Sequence, residues 1–178
     1  NIINPDDYIR AYGADALRMY LMFLAPWEQG GDFRAAGIRG ITRFLDKIWI
    51  HVQQWREDYE RDIRSSPQNI SSYEMESWDE DITSLLHKTI KKVTEDIENL
   101  QYNTAISSLM TFLGEIRKED PKRIQEVTLL AVTRRILPKP QLKIFLQLLA
   151  PFAPFITEEL WCGMLKEETS IHRSVWPK

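Results

Sequence analysis

Apolar residues recur at intervals of three and four along most of the chain, and the longest such run lies between residues 35 and 63. Residues at this spacing share one face of an α-helix, because each residue turns the helix by about 100°. The pattern therefore predicts a long amphipathic helix from about Ala35 to Ile63. Its buried stripe is expected to consist of Ile38, Ile41, Leu45, Ile48, Val52, Trp55 and Tyr59.

The same periodicity predicts further helices over residues 80–100, 104–118, 141–150 and 154–165. Asn103 is the expected cap of the helix that starts at Thr104. Another helix is expected to start at Asp120 and Pro121 and to end before Pro138. No segment alternates between apolar and polar residues over a useful length, so no β-strand is predicted. The expected fold is all-α, an antiparallel helical bundle with a small helical joint at its N-terminus.

The first 30 residues carry the signals of two short helices. Asn4 can cap a helix that has Pro5 at its first position, and the two aspartates that follow interact favourably with the helix dipole. Gly13 can end this helix, and an apolar helix then extends from about Ala14 to the residue before Pro26. Apolar side chains surround this second helix on nearly all sides: Leu17, Met19, Leu21, Met22, Phe23 and Leu24. We therefore expect one face of this helix to contact another part of a larger protein.

The segment LLAPFAPFITEELW, residues 148–161, places two prolines three residues apart in the most apolar part of the chain. Proline has a fixed φ and no backbone N–H, so neither Pro151 nor Pro154 suits a helix interior. Pro154 does fit the first turn of a new helix. The segment therefore predicts a tightly packed corner between two helices, in which Phe152 and Trp161 are buried.

The composition is that of a globular protein. The 178 residues are 43% hydrophobic and 28% charged, and no apolar run approaches the ~20 residues of a membrane span. The single cysteine, Cys162, excludes an internal disulfide and indicates a reducing compartment, for which we expect the cytoplasm. The chain begins without Met and without a signal peptide, and we interpret it as part of a larger protein. The net charge of −3 argues against non-specific coating of nucleic acid, but a local basic face could still bind it.

Residue types that carry catalysis are present, but their spacing does not favour catalysis. Glu158 and Glu159 point about 100° apart on a helix, which is typical of a solvated edge and not of a shared acid–base role. His51, His87 and His172 are scattered, with no second ligand at metal-binding spacing, so we expect surface or boundary positions and no metal site. The sequence has no glycine-rich phosphate loop and no nucleophile elbow. We therefore expect no catalytic residue on this chain.

Basic residues cluster on the predicted helices. Arg39, Arg43 and Lys47 step by four along the long helix, in a mean direction opposite to its buried stripe. On the next helix a second group shares its face with Glu95, and it consists of Lys88, Lys91 and Lys92. The third group is a pair near the end of a later predicted helix, Arg134 and Arg135. Such faces either are simply solvated or contact the phosphates of a folded nucleic acid, which positions the backbone without reading its sequence.

Several segments resemble one family in the same order along the chain. The double-proline segment is similar to the signature APFAPHITEELW in the C-terminal helical domain of class I aminoacyl-tRNA synthetases, with Phe155 in place of the usual His. The segment NPDDYIRAYGADALRMYLMF, residues 4–23, resembles the one that follows the Lys-Met-Ser-Lys-Ser loop of these enzymes. Residues 37–49, residues 85–110 and the ending SIHRSVWPK resemble the leucyl enzymes in particular.

The resemblance implies a domain plan and a tRNA partner. Residues 1–30 would form a joint that follows the Lys-Met-Ser-Lys-Ser loop, residues 31–168 an anticodon-binding-type helical bundle, and residues 169–178 a tail leading to a further C-terminal domain. The bundle would bind the body of leucine-specific tRNA. The residues expected to contact the tRNA are Arg39, Arg43, Lys47, Lys88, Lys91 and Lys92.

Catalysis would then belong to the rest of a parent leucine–tRNA ligase. The family's His-Ile-Gly-His motif and catalytic lysines are not in this sequence, so the resemblance assigns ATP and Mg to the parent enzyme and no cofactor to this chain. It also implies contacts with the enzyme's own catalytic and C-terminal domains, a monomer, and no membrane. Two alternatives stay open: the equivalent bundle of a valyl- or isoleucyl-tRNA synthetase, and a helical protein–protein interaction module whose basic faces are only solvated.

Overall fold

The computed structural model of the chain describes residues 4–26, 28–65, 80–118 and 137–178. Within these ranges the chain forms helices and no strand, which confirms the all-α prediction. The expected helix between Asp120 and Pro138, and the arginines at 134 and 135, lie outside the described residues. The helices are α1 (Pro5–Tyr12), α2 (Ala14–Phe23), α3 (Ala35–Ser65), α4 (Glu80–Glu98), α5 (Tyr102–Ile116), α6 (Lys139–Leu149) and α7 (Pro154–Glu158).

Local signals explain the boundaries of the first two helices. The side chain of Asn4 accepts a hydrogen bond of 3.1 Å from the backbone N–H of Asp6 at the start of α1, as expected of an N-cap. Gly13 adopts a φ of +87° between α1 and α2, a conformation that residues with a Cβ rarely adopt. Asn103 does not cap α5, because this helix starts at Tyr102, two residues before the predicted Thr104, and has no side-chain cap.

The apolar stripes meet in one core. In α3 the stripe from Ile38 to Trp55 is buried, and only Tyr59 at its end is partly exposed. A sharp turn with a positive φ at Leu100 connects α4 to α5, which pack against each other. The α5 stripe contacts α6 through Phe112 and Phe145, whose ring centroids are 5.4 Å apart. Burial of these side chains removes a large apolar area from water and is the main source of stability.

Hydrogen bonds connect the N-terminal helices to the bundle. The Tyr20 hydroxyl donates a hydrogen bond of 2.7 Å to the carbonyl of Arg34 and accepts one of 3.0 Å from its N–H. The Asp15 carboxylate accepts hydrogen bonds from the backbone N–H groups of Phe155 and Ile156, at the start of α7. Burial nevertheless raises the pKa of Asp15, although both hydrogen bonds act in the opposite direction.

The double-proline corner is packed as predicted, with Phe152 and Trp161 almost fully buried. Beyond α7 the helix does not stay α-helical to Leu165, because its turns widen into a π-helix over Glu159–Met164. The indole N–H of Trp161 donates a hydrogen bond of 2.8 Å to the carbonyl of Thr169, which brings the C-terminal segment back onto the helix. Glu158 adds to this attachment by accepting hydrogen bonds from the Ser170 hydroxyl and the Ile171 N–H, so it is not a solvated edge residue.

One further prediction needs correction. His51 is not at the surface or at a boundary, since it is only 4% exposed on the inner side of α3. In the tail, Ile171–Arg173 forms a 3₁₀ turn. Among the helices that the structure describes, none is both long enough and apolar enough to cross a membrane.

Candidate nucleic-acid interface

The outward face of α3 carries three cations, as its periodicity predicted. Arg39, Arg43 and Lys47 are exposed, whereas Ile38, Ile41 and the rest of the stripe are buried behind them. Within the described ranges no carboxylate is in ion-pair distance of these three cationic groups. The Arg43 Nε instead donates a hydrogen bond of 3.1 Å to the carbonyl of Arg39, which lays this side chain along the helix. The charge of this face is therefore available to an anionic partner.

A groove of about 360 Å³ runs between α3 and α5, and we call it the basic groove. Arg43 and Lys47 lie on its α3 side, and Arg117, directly after α5, lies on the other side. The Arg117 Nη1 donates a hydrogen bond of 3.4 Å to the carbonyl of Lys47, so its guanidinium spans the space between the two helices. The described residues that line it are Gly40, Arg43, Phe44, Lys47, Met110, Leu113, Gly114 and Arg117.

Arg117 was missed by the sequence reasoning. Its helix ends one residue earlier, and an arginine at a helix end is readily explained by its interaction with the dipole. The available signal was the pair of glycines, Gly40 and Gly114. Each lies inside a predicted helix and three residues before an arginine, so it shares a helix face with that arginine. Glycine in a helix interior lowers helix stability and requires an explanation.

The lysines of α4 form a different arrangement from those of α3. Lys88, Lys91 and Lys92 are exposed, but none of them lines the basic groove. Lys92 Nζ lies 2.7 Å from a carboxylate oxygen of the buried Asp96, and Lys91 lies 3.9 Å from Glu95. Within the described ranges only Lys88 of this group has no carboxylate in ion-pair distance. Most of the positive charge of this face is therefore compensated within its own helix.

Other basic residues are also compensated by carboxylates. Lys139 and Lys143 both contact Glu167, at 3.0 and 2.7 Å. Although burial raises the pKa of Glu167, the hydrogen bonds from Lys143 and Lys139 outweigh that effect and hold the pKa below its ordinary value. Lys143 also lies over the Trp161 ring, 4.9 Å from its centroid. These lysines thus serve the packing of the last helix and do not form a free basic face.

The interior of α3 beside the basic groove contains a histidine that stays neutral. Burial lowers the pKa of His51 to about 4, and the positive charge of Arg117 contributes to the same decrease. Within the described residues its Nε2 has no hydrogen-bond partner. No group of three or more His, Cys, Asp or Glu in this part of the chain could hold a metal ion. His51 is therefore a buried polar residue of the core.

The chain matches the family described as the anticodon-binding domain of tRNA ligase over residues 79–178, more than half of its length. Curated relatives match along the whole chain. A leucine–tRNA ligase of Borrelia turicatae is 41% identical over 180 residues, and one of Dehalococcoides mccartyi is 36% identical over 178 residues. The alignment covers all of this chain but 17% and 19% of these two relatives, so the chain spans less than a fifth of their length.

A solved structure shares the fold along the whole chain. It is the ternary complex of Agrobacterium radiobacter K84 agnB2 LeuRS with tRNA and LeuAMS, which superposes with a TM-score of 0.76 at 26% sequence identity. All of this chain aligns with 21% of that chain. On the match to the family over residues 79–178, this chain belongs to the anticodon-binding domains of tRNA ligases.

Proposed function

We propose that this chain is the tRNA-binding domain of a leucine–tRNA ligase. It holds the body of leucine-specific tRNA while a catalytic domain elsewhere in the same protein attaches leucine to the distant 3′ end. The observation that carries this proposal is the similarity to leucine–tRNA ligases, at 36–41% identity over the entire chain. The related agnB2 LeuRS was solved together with tRNA, which supports the same partner.

The exposed face of α3 supplies the chemistry that tRNA docking requires. Arg39, Arg43 and Lys47 are cations without a carboxylate partner in the described ranges, and phosphates of a folded RNA are their natural counter-charges. Phosphate contacts fix the position of the RNA without reading its bases. A well-packed bundle then holds the tRNA rigidly, which is the condition for placing a remote 3′ end accurately in a catalytic site. Lys88, Lys91 and Lys92 form a second, weaker group because Asp96 and Glu95 offset two of them.

The proposal includes the domain plan drawn from the sequence. Residues 1–30 are the joint to the catalytic domain, residues 31–168 the bundle, and residues 169–178 the connection to a C-terminal domain. In the joint, Ile9 and Leu21 are 41% and 51% exposed, which supports a contact with another part of the enzyme. ATP and Mg act in the catalytic domain, where Mg would offset the charge of the ATP phosphates. The whole enzyme is proposed to be a cytoplasmic monomer.

The decisive experiment measures leucylation by the full-length enzyme with Arg39→Ala and Arg43→Ala together. We expect KM for leucine tRNA to rise similarly for all leucine isoacceptors, because phosphate contacts carry no base information. The salt dependence of tRNA binding should decrease by about one unit for each phosphate that the variant no longer neutralises. Folding should be nearly unchanged, because isolated surface charges contribute little to stability.

The matched control removes two cations that already have carboxylate partners. Arg10 pairs with Asp7 and Arg64 pairs with Glu60, and both arginines are exposed. Arg10→Ala with Arg64→Ala should leave KM unchanged. If the α3 variant keeps the KM and kcat of the parent enzyme at physiological salt, this face does not contact tRNA. A full-length enzyme that charges tRNA with valine or isoleucine, or one that binds no tRNA, would replace the proposal by one of the two alternatives.

A further inference from the structure

Two helices of the bundle carry a glycine where packing does not require one. Gly40 lies in α3 and Gly114 in α5, and both line the basic groove. A Cβ built at either position meets no neighbouring atom within 4 Å in the described structure. Gly37 differs, because a Cβ there would lie 2.6 Å from the ring of Tyr20. Since glycine weakens a helix interior, Gly40 and Gly114 are explained by what they leave open and not by what they pack against.

The space that they leave open is bordered by positive charge from both helices. Arg43 and Lys47 reach it from α3, and Arg117 reaches it from the end of α5. Phe44 and Leu113 line the groove as well, and both are buried, so they form an apolar floor. A groove with cationic borders and two missing side chains allows an anionic group to come close to the helix backbone.

We infer that the basic groove seats a phosphodiester segment of the bound tRNA, held by Arg43, Lys47 and Arg117 close to the backbone of α3 and α5. The inference rests on the proposed function and adds two elements to it. It identifies Arg117, 70 residues from Lys47 in sequence, as a further tRNA contact. It also explains Gly40 and Gly114 as positions that must stay without a side chain. The planar guanidinium of Arg117 suits phosphate, because it offers several N–H donors in a fixed geometry.

The test fills the groove without removing any charge. Gly114→Leu and Gly40→Leu are each introduced into the full-length protein, and binding of leucine tRNA is measured at several salt concentrations. We expect the affinity to fall about tenfold, which corresponds to the removal of one charge-assisted hydrogen bond, and the salt slope to decrease by about one unit. The thermal midpoint of the same variants should not fall, because no described residue fills the space beside either position.

The matched control is Ser107→Leu, on the same helix and the same face as Gly114 but outside the groove. It adds the same apolar side chain and should bind tRNA like the unmodified protein. Equal weakening in Ser107→Leu would overturn the inference, because any added leucine would then be sufficient. If the glycine variants unfold, Arg117→Gln and Arg117→Lys are used to test the inference instead. A decrease of about one unit of salt slope in the first but not in the second supports the groove, and an unchanged slope in both overturns it.

The outcomes separate this inference from the proposed function. If the unmodified protein shows no salt-dependent binding of leucine tRNA, both the proposed function and the inference about the basic groove are wrong. If it binds tRNA, and Gly40→Leu and Gly114→Leu bind equally well, the inference is overturned while the proposed function stands. Weakened binding in the folded glycine variants, with Ser107→Leu unaffected, supports the inference.

Discussion

Acidification should destabilise this domain through the buried side chain of His51. The residue is 4% exposed, and burial and the charge of Arg117 lower its pKa from 6.5 to about 4. In the unfolded chain the same imidazole is hydrated and titrates near its ordinary value. Between pH 6.5 and pH 4 the unfolded state therefore binds a proton that the folded state does not bind. The contribution of His51 to the free energy of unfolding is highest above pH 6.5 and decreases as the pH falls through this window.

The size of the effect follows from the two pKa values. Each unit of difference is worth about 1.4 kcal/mol, and the two values of His51 differ by about 2.5 units. Integration over the window predicts a decrease of roughly 3 kcal/mol at pH 4 relative to pH 7 from this residue alone. A domain of this size is stabilised by about 5–15 kcal/mol, so the decrease is a substantial fraction of the total.

The assay is urea unfolding at pH 7, 6, 5 and 4, followed by circular dichroism, for the unmodified chain and for His51→Met. Methionine fills a similar volume, adapts to irregular space and has no titrating group. Since it also removes a buried Nε2 without a partner in the described residues, it should be at least as stable at pH 7. The difference between the two proteins should grow by about 3 kcal/mol from pH 7 to pH 4.

The matched control is His87→Met, because His87 is exposed on α4. The growth of the His51→Met difference toward pH 4 should clearly exceed that of the His87→Met difference. A constant difference for His51→Met over the whole range would refute the reasoning, since it would show that the imidazole is protonated without cost in the folded state. Carboxylates that titrate in the same range cancel, because they are present in both members of each comparison.

Three further predictions concern packing. Trp161→Ala should lower the free energy of unfolding by about 3–5 kcal/mol, whereas Phe155→Ala at a 70% exposed position should change it little; urea unfolding distinguishes them. Gly37→Ala should lower the thermal midpoint, because its Cβ would be 2.6 Å from the Tyr20 ring. Gly114→Ala should raise the free energy of unfolding by about 1 kcal/mol, and equal effects of the two substitutions would contradict this difference in the space around the two glycines. Glu158→Ala should accelerate hydrogen exchange at the Ile171 amide, which donates a hydrogen bond of 3.0 Å to the carboxylate; unchanged exchange would show that this bond does not hold the tail.

The sequence by itself determined the features that depend on local periodicity. The spacing of apolar residues located the helices and the buried side of α3, and therefore also the exposed side that carries Arg39, Arg43 and Lys47. The two prolines determined the corner, because their restrictions act on the residues next to them. Cap positions were less certain, as Asn103 shows, because several neighbouring residues can start a helix at similar cost.

The tertiary structure decided everything that depends on residues far apart in sequence. The basic groove exists because Arg117, directly after α5, reaches the carbonyl of Lys47 on α3 across 70 residues. Tertiary packing also buries His51, which the helical pattern alone placed at the surface or at a boundary. A side chain's periodic position shows its direction from the helix axis, but its burial and its charge environment depend on which helix is packed against it.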